Sequence, residues 1–159
     1  MDSEKKLLYK LSDLDYFEVS DEDPDVRGWD VFGSDGEKLG TVDELIIAPA
    51  EAKVRYLDVL LNYTAMPQEF DGRHILVPIG TASVNEKDDK VILKTINRKN
   101  IYEFPPYDGG NVTRIYENSI RKIMEPDILI TSDESGDFYS HEHFDENMFY
   151  ADRRRRAGL

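Results

Sequence analysis

From Val26 to Thr95 the apolar residues come in short stretches rich in β-branched side chains, each closed by residues that favour turns. Val26 to Phe32 predicts a first strand, and Ser34-Asp35-Gly36-Glu37 a turn whose glycine tolerates positive φ. Leu39 to Ile47 predicts the returning strand, ended by Ala48-Pro49. Val54 to Asn62 follows, with Leu57, Val59 and Leu61 on one face by the two-residue period. His74 to Ile79, Ala82 to Val84 and Val91 to Lys94 complete the set, the last two separated by the charged turn Glu86 to Lys90. The expectation is a mainly β unit of about six short strands. Such a set closes most easily as a small β-barrel, which removes exposed strand edges.

The pattern changes on both sides of this unit. Leu7, Leu8, Leu11, Leu14 and Phe17 predict a lead-in with a short helical turn, set off by the acidic stretch Ser20 to Asp25. After residue 97, Phe104-Pro105-Pro106-Tyr107 and Gly109-Gly110 predict an ordered loop. Asn111 can cap an amphipathic helix carrying Val112, Ile115, Tyr116, Ile120, Ile123 and Met124, and Pro126 ends it. Residues 132–159 hold aromatics among acids without a period, so they are expected to pack on the barrel or on a second subunit. The division is therefore a lead-in at 1–25, a barrel at 26–96, a loop and helix packed on it at 97–131, and a C-terminal extension at 132–159.

The stretch Arg27-Gly28-Trp29-Asp30-Val31-Phe32, followed by Asp35-Gly36-Glu37-Lys38-Leu39-Gly40-Thr41-Val42-Asp43-Glu44-Leu45, resembles the opening of PRC-barrel domains. Val54 to Val59 and Gly72-Arg73-His74-Ile75-Leu76-Val77-Pro78-Ile79-Gly80 resemble its continuation. These domains are named after the cytoplasmic barrel of the photosynthetic reaction-centre H subunit and occur also as the C-terminal domain of a ribosome maturation factor. Tyr139 to Glu146 looks similar to extensions of the reaction-centre-like members. The resemblance implies a PRC-type barrel that works through protein contacts, with no shared catalytic constellation.

Charge narrows the partners. Twenty Lys and Arg against 33 Asp and Glu give −13, a field that repels phosphate backbones, so free nucleic acid is not expected as a ligand. The four arginines Arg153 to Arg156 gather basic charge at the end of the chain. Without cysteine there is neither a disulfide framework nor a Cys-zinc site nor thiol catalysis. No run reaches the ~18 apolar residues of a membrane helix. The expectation is a cytoplasmic protein with at most peripheral membrane contact.

The chemical motifs are sparse. Asp21, Asp23 and Asp25 have the spacing of the first ligands of an EF-hand loop, but Val26 stands where its glycine belongs and Phe32 where its glutamate belongs. His141-Glu142-His143 offers two imidazoles and a carboxylate, yet residues two apart on a helix point about 200° apart, so they could converge only on extended or irregular chain. His74 is expected to be a hydrogen-bonded packing residue. Phosphate-binding glycine loops and a nucleophile elbow are absent from the sequence. No catalytic residues and no cofactor are expected. The interaction residues expected are the aromatics Trp29, Tyr107, Tyr116, Phe138, Tyr139, Phe144, Phe149 and Tyr150. The leading expectation is a non-enzymatic adaptor that self-associates as a homodimer and meets a protein partner. The alternatives are a metal- or ligand-binding stress protein using His141, Glu142 and His143, and a peripheral membrane or ribosome-associated assembly factor using the arginine tail.

Overall fold

The structure, a computed structural model, describes residues 7–14, 24–63, 66–124, 139 and 142–150. Seven strands form one sheet: β1 (Tyr9–Lys10), β2 (Asp30–Phe32), β3 (Lys38–Ala48), β4 (Lys53–Leu61), β5 (His74–Pro78), β6 (Ala82–Asn85) and β7 (Lys90–Leu93). Their order is β5-β4-β3-β2-β7-β6, with β1 pairing the far end of β3. All pairs are antiparallel except β2 with β7. Two helices follow, α1 (Arg114–Met124) and the short α2 (Glu146–Phe149). Among the described residues no helix is long and apolar enough to cross a membrane.

The mainly β expectation holds, and three of its details change. The first predicted strand is too long. Trp29 N donates to the Val26 carbonyl at 3.0 Å and Gly28 adopts φ +92°, so residues 26–29 form a turn and only Asp30–Phe32 is strand. The lead-in is part of the sheet, because Tyr9 and Lys10 pair with Ile47 and Ile46 before Leu11–Asp13 turns into a 3₁₀ turn. The closed barrel is also corrected. The outermost strands β5 and β6 are consecutive in sequence and meet through the buried 3₁₀ corner Ile79–Thr81, which requires the sheet to roll, but they do not pair. The β5 edge is occupied otherwise, since the His74 carbonyl accepts from Tyr107 N at 2.7 Å.

Burial along the strands shows that both faces of the sheet are covered. Leu45 to Ala48 in β3 and Tyr56 to Val59 in β4 are buried in succession, where a half-exposed strand would alternate. One face is the filled interior of the roll. The other lies under the lead-in, the 101–116 segment, α1 and the C-terminal segment. Leu8, Leu11, Phe104, Tyr107, Ile120, Phe144 and Phe149 belong to the same apolar cluster as Leu45, Leu57 and Ile75. The segment at 142–150 fills the seam left by the unpaired strands: α2 packs on the Ile79–Thr81 corner, on β6 and on β4, and the 3₁₀ turn Glu142–Phe144 packs on the same corner.

Candidate functional site

Helix α1 starts at Arg114 because Thr113 caps it: Tyr116 N donates to Thr113 Oγ1 at 3.1 Å and Glu117 N to the Thr113 carbonyl at 3.0 Å. The expected cap, Asn111, lies two residues earlier in the exposed loop. The inward arc of the helix carries Glu117 and Ile120, both buried. Ile115, five residues before Ile120, sits about 140° round the helix and is 78% exposed. The expected apolar stripe therefore splits. Ile120 enters the core, Tyr116, Ile123 and Met124 are half-buried, and Ile115 faces out.

Glu117 is a carboxylate in the position of a core residue. Tyr56 donates to its Oε1 at 2.9 Å, Tyr139 donates to the same oxygen at 2.5 Å, and Arg114 Nε donates to Oε2 at 3.2 Å. Burial pushes the Glu117 carboxyl above its ordinary value, although all three of these donors oppose the shift. Burial, with Glu117 beside them, pushes the Tyr56 and Tyr139 hydroxyls far up as well. Arg55 covers the Tyr139 ring at 4.4 Å and reaches the Phe144 carbonyl at 3.4 Å. Glu146 Oε1 accepts from Val54 N at 2.8 Å. These bonds tie α1 and the C-terminal segment to β4. The arrangement is a structural clasp.

The aromatics singled out as an interaction set have different fates. Tyr107, Phe144, Phe149 and Tyr150 are buried within the chain and offer no surface in this conformation. Tyr116 is half-buried, its hydroxyl donating to the Pro105 carbonyl, and Tyr139 is half-buried in the clasp. Trp29 is half-buried on the rim of the core. Phe138 lies outside the described residues, as do His141, Asp21, Asp23 and the arginines 153–156; His143 is half-buried in the turn before Phe144. Asp25 pairs with Arg27 at 2.6 Å, which holds its carboxyl below the ordinary value.

A second polar group was not singled out as a set. Asp58 in β4, His74 at the start of β5 and Asp43 in β3 bring one ligand atom each within 4.8 Å of one another. The β4–β5 register places Leu60 opposite His74 and Leu76 opposite Asp58, so the histidine is diagonal to the buried aspartate on one face. Their bond is 2.8 Å between Nδ1 and Oδ1, and Asp43 Oδ2 stands 3.9 Å from the same Nδ1. A bulge between Val42 and Glu44 sets the direction of Asp43. Asp58 is 3% exposed, and burial raises its carboxyl against the opposing pull of His74. The expected role of His74 as a hydrogen-bonded packing residue thus has a partner, Asp58. The sequence signal was a lone charge inside the apolar run Tyr56 to Leu61.

Beside the roll, a cleft of about 340 Å³ is lined by Lys38, Asn62, Tyr63, Asp71 and Arg98. Its cations are already engaged. Lys38 pairs with Asp30 at 3.3 Å, and Arg98 stacks on Tyr63 while donating to the Lys38 carbonyl.

This rolled sheet, its Gly40 pressed on β4 and its two outer strands joined by one corner, is the frame in which the comparison with known families falls. A family model described as the PRC-barrel domain matches residues 18–99, which spans every strand from β2 to β7. The chain belongs to the PRC-barrel family. A search of curated proteins finds no match, so the assignment rests on the domain itself. The PRC-barrel match ends at residue 99, so both helices lie beyond it and the clasp joins them to Val54, Arg55 and Tyr56 inside it. Glu117, Tyr139 and the seam-filling aromatics are thus additions to the barrel, whereas Asp43, Asp58 and His74 lie within it.

Proposed function

We propose that this PRC-barrel protein is a non-enzymatic interaction module that self-associates through the outer face of α1. The observation that carries the reading is Ile115, a large apolar side chain left 78% exposed on a helix otherwise built into the molecule. The charges around it favour a second copy. On a chain of net charge −13, the outward face of α1 carries Ile115, Asn118, Ser119 and Lys122 and no acid. Two copies approaching along this face bring together the least negative surface of the helix while burying apolar area. A self-complementary patch of this kind forms a closed dimer about a two-fold axis. The same face, or the dimer built on it, then serves as the platform for a protein partner.

The test is sedimentation equilibrium on the full chain and on Ile115→Asp. An acid in the first helical turn favours the helix, so this variant keeps its fold, which circular dichroism verifies. A dimer for the wild type and a monomer for the variant is the expected result. A wild type that stays monomeric at the highest attainable concentration, or a variant that dimerises equally well, refutes the reading.

A further inference from the structure

We propose that Asp43, Asp58 and His74 form a site for a divalent transition-metal cation, with Asp58 as the fixed carboxylate and His74 and Asp43 closing on the ion from the solvent side. Three donors from three adjacent strands already stand within 4.8 Å of one another. Ligands bound at about 2.0–2.2 Å from a common ion are separated by at most roughly twice that length. Small rotations of Asp43 and His74 are therefore enough to seat a metal. Asp43 is half-exposed and His74 about a third exposed, so both stand at the solvent boundary that an ion must cross.

The independent observation is the state of Asp58. The residue is 3% exposed, and among the described residues its hydrogen bond is the one shared with His74 Nδ1. An ionised carboxylate has about four acceptor positions, and a buried one costs heavily unless cations or donors fill them. Lys10, in β1, contributes a favourable field but no hydrogen bond, and Asp43 adds repulsion. A divalent ion between the two carboxylates cancels that repulsion. One imidazole with two carboxylates suits zinc, manganese, iron, cobalt or nickel better than calcium or magnesium, which take oxygen alone. Three protein donors leave the remaining positions of the ion to water. The site is independent of the outer face of α1, so it stands or falls apart from self-association.

Calorimetric titration of the full chain with zinc and with manganese, at neutral pH in a non-chelating buffer, reads the affinity. Paramagnetic broadening by manganese of assigned amide signals reads the place. One ion per chain, with broadening centred on residues 43, 58 and 74, is expected. Asp43→Asn removes a ligand that makes no structural hydrogen bond, so the fold survives, and the affinity should fall by roughly tenfold or more. His74→Gln should do the same. Heats equal to dilution for both metals overturn the proposal. So does binding that Asp43→Asn and His74→Gln leave unchanged, or that disappears only in His141→Ala or His143→Ala, which would move the ion to the C-terminal segment.

Discussion

Gly40 sits where β3 passes closest to β4, and a Cβ built on it would lie 1.9 Å from the Leu60 carbonyl oxygen. A backbone atom cannot swing aside as a side chain can, so the strand pair must separate to admit even a methyl group. Gly40→Ala is expected to cost about 3 kcal/mol, read as a lower urea midpoint at unchanged m-value. Glu117 makes a different kind of prediction. Its folded carboxyl is raised from 4.5 by burial, so the folded chain holds a proton that the unfolded chain has released. Its contribution is therefore fully present below the unfolded value and lost as pH rises through the folded one. Glu117→Gln keeps the acceptor for Tyr56 and Tyr139 but never ionises. The stability difference between wild type and variant should move in favour of glutamine as pH rises from below the ordinary carboxylate range to neutrality, measured by urea unfolding at each pH. A difference constant across that interval would mean that Arg114 and the two hydroxyls fully compensate the buried charge.

At the scale of elements, sequence pattern located the long strands and missed what holds the roll together. β3 and β4 begin and end within a residue of their predicted bounds, because long β-branched runs bounded by Pro49 and by Asn62 leave little choice. Val26, Val31 and Phe32 look like one continuous strand in sequence, and Gly28 at positive φ breaks it. The helix start shifted from Asn111 to Thr113 because both residues can cap and only the fold chooses between them. Asp58 and His74 meet by diagonal pairing, which depends on a register that spacing along one sequence does not give. The aromatics near the C-terminus lack a period because Phe144, Phe149 and Tyr150 come from a 3₁₀ turn and a four-residue helix filling the seam of a sheet. Their burial makes α2 a structural element of the barrel. Phe149→Ala removes a fully buried ring packed at 4.8 Å on Tyr150, and should cost about 3–5 kcal/mol. Hydrogen exchange should then accelerate at Ile79–Thr81 and β6, which α2 covers, before it accelerates in β3 and β4.

For the whole molecule the governing quantity is the excess of 33 acids over 20 bases. The described ion pairs do little to offset it. Arg27–Asp25, Lys38–Asp30 and Arg98–Glu37 lie at the surface, where each contributes about 0–1 kcal/mol and is weakened by salt. Self-repulsion of the unpaired acids acts in the opposite direction: salt relieves it, and the Debye length falls to about 10 Å at 0.1 M. Repulsion outweighs the pairs because 33 acids stand against 20 lysines and arginines. The melting temperature should therefore rise as sodium chloride is added from low ionic strength to about 0.15 M. Association follows the same sign. Two chains of −13 repel as they meet, and a contact made by Ile115 loses nothing when charges are screened, so the proposed dimer should tighten with salt. A contact built from cross-chain ion pairs should loosen instead. Sedimentation at low and near-physiological salt thus reads the chemistry of the interface directly: a dissociation constant that falls with salt supports the apolar face of α1, and one that rises places the contact elsewhere.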